Sequence, residues 1–178
     1  MLEGKNINLK LLEKDDVPRF MDWINDTGFW GQYNGLRQVS KAEVEKELEG
    51  PTRPKQFLIE KKDGTRVGFI GYSQLFPGAS QLLWFGYSLA PDERGKGYGT
   101  EAVNLMLDFC FLSGDALRMQ AFVDLRNAAS QRVLEKTGFQ KEGVVRKIGF
   151  LWGEWRDMLL YSILRDDWKA PRVLKVPT

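Results

Sequence analysis

The chain of 178 residues contains no histidine and a single cysteine, Cys110. Histidine is the side chain whose ordinary pKa lies near neutrality. Its absence excludes Ser-His and Cys-His nucleophilic chemistry and His-ligated metals; with only one thiol, a structural zinc site is excluded as well. No metal site is expected. One cysteine rules out an intrachain disulfide and fits a reducing, cytoplasmic setting. Cys110 falls in the apolar stretch NLMLDFCFL and reads as core filler rather than nucleophile. No apolar run approaches the roughly 18 residues that span a bilayer, and the start MLEGKNINLK has no signal-peptide core, so no membrane partner is expected. The net charge of +2 is too small for a strongly basic nucleic-acid face. The chemistry left to this chain uses carboxylates, hydroxyls, backbone amides or ordered water.

What is present is an ordinary globular composition, 43% hydrophobic and 28% charged, without repeat, linker or low-complexity tract. Residues 1–178 read as one domain. Ile7 to Leu11 alternates like a half-buried strand. Asp15 or Asp16 can cap a helix with Pro18 in its first turn and Val17, Phe20, Met21 and Ile24 on one face. Ser40 and Glu43 have capping-box spacing for a second helix, which Gly50-Pro51 would end. TGFWGQYNGLRQ between these helices lacks periodicity and reads as a loop with exposed aromatics. A hairpin turning at Asp63-Gly64 follows. LLWFGYSLA (Leu82 to Ala90) reads as a strand buried on both faces. Then come a helix from about Thr100 to Leu112, with a polar stripe of Glu101, Asn104 and Asp108, and a strand over Ala116 to Val123. A short helix over Ala128 to Thr137, capped by Asn127, precedes strands at Val144 to Leu151 and Arg156 to Leu164. The tail beyond Leu164 reads as a solvated, frayed end. The order predicts a mixed α/β sheet of about seven strands with helices on both faces.

Between the apolar strand and the helix lies PDERGKGYG. A glycine-rich loop that opens a helix gathers unsatisfied backbone N–H groups at the positive end of the helix dipole, which is an anion site, phosphate first. Gly95, Gly97 and Gly99 remove steric obstacles to that approach, and Arg94 and Lys96 add charge. A Walker A loop does not fit, because no Gly-Lys-Ser/Thr occurs; a dinucleotide fingerprint fails at Thr100. A bare turn without ligand stays open on the loop alone.

Arg94-x-x-Gly97-x-Gly99 resembles the [Q/R]-x-x-G-x-[G/A] pyrophosphate loop of the GNAT N-acetyltransferases. Asn127-Ala-Ala-Ser130 followed by Gly138-Phe139 resembles that superfamily's N-x-x-[A/S]…G-F segment, in the right order. LEGKNINLKLLEKDD and GEWRDMLLYSILRDDW are similar to the branch of Rim-type ribosomal-protein N-terminal acetyltransferases. The resemblance implies a mostly antiparallel sheet splayed in the middle, with acetyl-CoA as co-substrate inserted in the splay. It places Tyr87, Ser88 and Leu89 along the pantetheine arm, the Leu89 N–H on the acetyl carbonyl, and Arg94, Gly95, Lys96, Gly97, Tyr98, Gly99 and Thr100 around the pyrophosphate. Asn127 and Ser130 would position the thioester arm, with Ser130 as the acid for the leaving thiolate.

Two departures stand out. Leu134 occupies the place of the tyrosine acid common in the superfamily, and Trp84 that of a glutamate base. Glu154, Asp157 or a water chain are the remaining candidates for the base. Phe29, Trp30, Tyr33, Trp84, Trp152 and Trp155 are candidate walls for the amine acceptor, a peptide N-terminus or a small molecule, and a homodimer is left open. The competing readings are a non-catalytic acyl-CoA-binding or sensing module and an unrelated phosphate- or nucleotide-binding protein.

Overall fold

The computed structural model describes residues 1–49 and 54–175. Strand β1 (Leu2–Glu3) turns back on β2 (Ile7–Leu11), the first of the expected strands. Helix α1 (Val17–Ile24) has Pro18 in its first turn and buries Val17, Phe20, Trp23 and Ile24. Asp16 precedes it but does not cap it. Its carboxylate accepts from the Glu13 N–H at 3.2 Å and pairs with Lys10 at 3.1 Å and Arg66 at 2.6 Å. Burial works to raise the Asp16 pKa, but these partners outweigh it and hold the group below the usual carboxylate range.

The segment expected as a loop with exposed aromatics is instead partly helical. Asp26 accepts from the Gly28 N–H at 2.8 Å and starts helix α2 (Thr27–Trp30), which runs into a 3-10 turn at Gly31–Tyr33. Phe29, only 2% exposed, stacks between Trp23 at 5.3 Å and Phe69 at 5.8 Å. A helix of one turn is too short to leave a 3.6-residue signal, and burial of one ring in an aromatic cluster decides its conformation instead. Helix α3 (Lys41–Glu47) opens with the expected capping box, Glu43 N–H to Ser40 Oγ at 3.3 Å and Ser40 N–H to the Glu43 carboxylate at 2.7 Å. Gly50-Pro51 lies outside the described residues.

Strands β3 (Lys55–Lys61) and β4 (Arg66–Gln74) form the hairpin turned by Asp63 and Gly64, where Gly64 takes a φ of 83° and Asp63 accepts the Thr65 N–H. Then follow β5 (Leu82–Leu89), α4 (Tyr98–Ser113), β6 (Arg118–Asp124), α5 (Ala128–Lys136), β7 (Gln140–Leu151) and β8 (Glu154–Leu164). All belong to one eight-stranded sheet in the order β1-β2-β3-β4-β5-β6-β8-β7. The strand beyond the expected seven is the two-residue β1. Every neighbouring pair is antiparallel except β5 and β6, and α4 is the crossover that a parallel pair requires. The sheet is covered on both faces. One core gathers α4 and Leu134, near the end of α5, over Ile7, Ile59, Ile70 and Met119; the other packs α1, α2 and α3 over Leu58 and Phe69.

Two further expectations are corrected. Strand β5 is not buried on both faces: Trp84 is 47% exposed and Gly86 is open, because the apolar second face borders a cavity rather than core. As far as Lys175 the tail is not frayed. Arg165 donates to the carbonyls of Phe111, Gly114 and Ala116, and Asp108, at 0% exposure, accepts from the Trp168 indole and the backbone N–H groups of Arg172, Val173 and Leu174. Asp108 therefore belongs to the interior and not to a polar stripe; partners 60 or more residues away leave no local pattern. Glu101, the first member of the expected polar stripe, accepts from the Asn6 backbone at 2.8 Å and clamps the first turn of the chain onto α4.

Candidate active site

The parallel pair β5 and β6 is joined only from Leu82 to Trp84, opposite Arg118 to Gln120. Beyond that point β5 stays paired with β4 as far as Leu89, and β6 with β8 as far as Asp124. The two central strands thus part, and a cleft opens between them. Register decides which backbone groups face it. The Leu75 N–H donates to Leu82 O and the Ala90 N–H to Val67 O, so the even-numbered residues of β5 bond to β4. Phe85, Tyr87 and Leu89 aim their N–H and C=O groups into the cleft. Ser88, expected to contribute backbone, turns those groups toward β4 and offers the cavity its side chain.

At the open end, Pro91–Glu93 makes a 3-10 turn, and Gly95 and Gly97 take φ angles of 76° and 87°. Gly97 is the N-cap of α4, and among the described residues no side chain caps this helix. The first intrahelical bond is Glu101 N–H to Gly97 O at 3.1 Å. The N–H groups of Tyr98, Gly99 and Thr100 lie within the first turn, where the helix supplies no acceptor, and the dipole adds its positive end. Gly99 serves a different purpose: a Cβ there would stand 3.2 Å from Cε2 of Tyr87, so the glycine lets α4 pass close over that ring. Arg94 is committed to protein carbonyls, Nε to Leu89 O at 3.0 Å and a terminal nitrogen to Phe29 O at 2.6 Å; it pins the loop to α2. Lys96 pairs with Glu93 at 2.9 Å. Most of the loop's capacity for an anion therefore comes from backbone.

Across the cleft, Asn127 caps α5 through Oδ1, accepting the Ser130 N–H at 3.1 Å. Ser130 and Tyr87 border the same cavity. Burial pushes the Tyr87 phenol up from its ordinary value, and the contact with Ser130 partly opposes that shift. Leu134, 1% exposed, fills the wall where a tyrosine acid is absent.

The cavity, about 610 Å³, runs from Ser130 and Asn127 to a mouth bordered by Trp30, Tyr33 and Trp84. Of the other aromatic candidates, Phe29 lies behind this wall in the core, whereas Trp152 and Trp155 stand exposed on the β7–β8 hairpin and are not part of the lining. Glu154 and Asp157 are not part of the lining either. Glu154 pairs with Arg156 at 3.5 Å, and Asp157 accepts the Lys147 N–H at 2.9 Å at an irregular point of β7. The lining holds charged groups that the sequence did not announce. Asp124, 3% exposed, is clasped by Arg126 and Arg156, each at 3.2 Å, and Arg37 pairs with Glu47 at 2.9 Å at the rim. A carboxylate ending an apolar strand was the only local hint of Asp124. Arg156 also donates to Gln32 O, tying the last hairpin to the loop after α2. Among the described residues no cluster of His, Cys, Asp or Glu could hold a metal ion.

Comparison with known proteins matches this architecture. Residues 6–140 match the family described as acetyltransferase (GNAT) domain. The probable N-acetyltransferase YjcK of Bacillus subtilis is 33% identical over 94% of this chain and 98% of its own. Among solved structures, the ribosomal L7/L12 alpha-N-protein acetyltransferase RimL, in complex with coenzyme A, superposes with a TM-score of 0.81 at 20% identity, covering 93% of this chain and 98% of that one. The spermidine N-acetyltransferase of Vibrio cholerae, in complex with CoA and spermine, gives 0.79 at 21% identity, covering 91% and 97%. At those identities the two structures speak for the fold, and between them that fold serves a protein and a polyamine.

Proposed function

This chain belongs to the GNAT acetyltransferase family, and on that premise we propose that it transfers the acetyl group of acetyl-CoA directly to a primary amine, with residues 1–178 acting as one domain in the cytoplasm. The observation that carries the reading is the splay of β5 from β6, which leads from the uncapped start of α4 to the cavity of about 610 Å³. The pyrophosphate of CoA is assigned to the backbone of Gly95 to Thr100, and the pantetheine arm pairs with Tyr87 and Leu89 where β6 has turned away. The acetyl carbonyl then meets the Leu89 N–H. One such donor to a developing oxyanion is worth roughly 2.7–4 kcal/mol of barrier.

The amine nitrogen attacks the carbonyl carbon, the C–S bond breaks, and the thiolate takes a proton from Ser130, held in place by the Asn127 cap. With no histidine in the chain and both lining carboxylates already paired, the amine's proton leaves through ordered water. The acceptor is a peptide N-terminus or a small monoamine. Asp124 and Glu47 are each neutralised by arginine, which argues against a polycation. A panel of amines and peptides beginning with Ala, Ser and Met, assayed for thiol release from acetyl-CoA, tests this. Turnover on at least one monoamine or peptide, exceeding that on spermidine, is expected; binding of acetyl-CoA with no thiol released on any acceptor would reduce the protein to an acyl-CoA sensor.

A further inference from the structure

We propose that Tyr87 stands behind Ser130 as the reservoir of the proton that the leaving thiolate receives, so that two hydroxyls on facing elements replace the single tyrosine missing at Leu134. The inference rests on the acetyltransferase reading. Ser130 sits in the first turn of α5 with its own N–H fixed by Asn127; Tyr87 sits on β5, two residues before the Leu89 N–H assigned to the acetyl group. The Tyr87 ring is lodged against α4 at Gly99, where a Cβ would stand 3.2 Å from its Cε2. Both residues line the cavity from facing elements, and the Ser130 hydroxyl is the group that partly offsets the effect of burial on the Tyr87 phenol. No other phenol replaces them from the α5 side, because Leu134 fills that wall.

Chemistry explains why a pair is needed. A thiolate of ordinary pKa near 8.5 is easily protonated, but an isolated serine that gives up its proton becomes an alkoxide far more basic than the thiolate it served. A phenol of ordinary pKa about 10 can refill the serine as it empties. In the relay, the carbon–nitrogen bond forms and the carbon–sulfur bond breaks. Sulfur takes the Ser130 proton while Ser130 Oγ takes the Tyr87 proton. The Tyr87 oxygen recovers, through water, the proton shed by the nitrogen as it becomes an amide. One proton thus passes from nitrogen to sulfur and both hydroxyls end as they began. Tyr87 acts through Ser130 and is in this sense a positioning residue.

The test uses the full chain, an amine acceptor found in the panel and three variants. Tyr87→Phe keeps the ring on Gly99 and removes the hydroxyl. It should lower kcat by about 10-fold, less than the ~10²–10⁴ of a donor touching the reacting atoms, with KM for acetyl-CoA within about two-fold. It should also abolish the alkaline fall in kcat that reports ionisation of the phenol. In a Ser130→Ala background, Tyr87→Phe should cost nothing further, and Ser130→Ala alone should remove the same alkaline limb, a readout that survives even if Tyr87→Phe folds poorly. Unchanged kcat in Tyr87→Phe, additive losses, or an alkaline limb retained in Ser130→Ala would each overturn the relay while leaving the acetyltransferase intact. A wild-type protein that releases no thiol on any acceptor overturns both.

Discussion

The two ends of the cleft are built from different materials. The end assigned to acetyl-CoA, the donor end, is backbone: the N–H of Leu89, the first turn of α4, and glycines whose φ angles of 76° and 87° shape the loop between them. Its nominal cations are occupied, Arg94 with carbonyls and Lys96 with Glu93. The end assigned to the amine, the acceptor end, is side chain: Trp30, Tyr33 and Trp84 at the mouth, Arg37 against Glu47, and Asp124 held by two arginines. Two buried aspartates, one in the cavity lining and one farther along α4, are satisfied in opposite ways. Asp108 on α4 collects neutral N–H donors from the tail, whereas Asp124 is matched by opposite charge. A backbone site tolerates almost no added atom, while a side-chain site can be refitted one residue at a time. That contrast is consistent with one fold serving both a protein and a polyamine in its solved relatives.

The largest expected effect lies on the donor side, away from the ligand. Asp108→Ala would leave the Trp168 indole and three backbone N–H groups without their acceptor, and each unsatisfied donor costs about 1–3 kcal/mol. Thermal melts should show a drop of about 10 °C or more, and trypsin should cut the released tail near Arg172. Asp108→Asn, which keeps one oxygen, should fall between. A drop below about 2 °C would mean that the tail contributes nothing to α4, and that the donor helix is stable without it.

Second is Gly97→Val, the direct test of a backbone site. The left-handed conformation costs an ordinary residue roughly 1–2 kcal/mol, so the melting temperature should fall by only a few degrees. Acetyl-CoA affinity, read by calorimetry, should fall by about 100-fold, since the new methyls stand over the loop where a Cβ now meets open space. Third, on the acceptor side, Trp84→Ala should raise the acceptor KM about 10-fold and leave acetyl-CoA affinity within about two-fold. If Trp84→Ala instead weakened acetyl-CoA and spared the acceptor, the two ends would not be separable in the way their construction suggests.

The same contrast governs what the sequence made legible. Backbone sites need glycines and caps at fixed spacing, and these are local: Gly95, Gly97, the Asn127 cap and the Ser40–Glu43 box were all readable, as were the long strands and α4. Side-chain sites are assembled from afar. Asp124 and Arg156 are 32 residues apart in sequence, Arg156 reaches Gln32 across 124, and the tail meets Asp108 across 60 or more. Strand β5 misled for a related reason, since an apolar cavity wall and an apolar core leave the same pattern. The Tyr87–Ser130 contact was also out of reach, because nothing in either segment encodes its partner.

The smallest effect concerns the charge on Asp124. Burial works to raise the Asp124 pKa, but hydrogen bonds from the Arg126 side chain and backbone and from Arg156 outweigh it and leave the carboxyl below its ordinary range. A carboxyl depressed in the folded state contributes stability that is fully present above its unfolded pKa of about 3.9 and is lost as pH falls through the folded value. Asp16 is depressed in the same sense and gives every variant some acid sensitivity, so the measurement must be a difference. Melts of the wild type and Asp124→Asn from pH 7 down to about 2 should begin apart, with the variant lower, and converge below about pH 4 as the native carboxyl is protonated. Two curves that stay parallel would mean that Asp124 is held in place by shape and not by charge. The acceptor end would then share the charge-independent construction of the donor end, and the comparison would lose its electrostatic half.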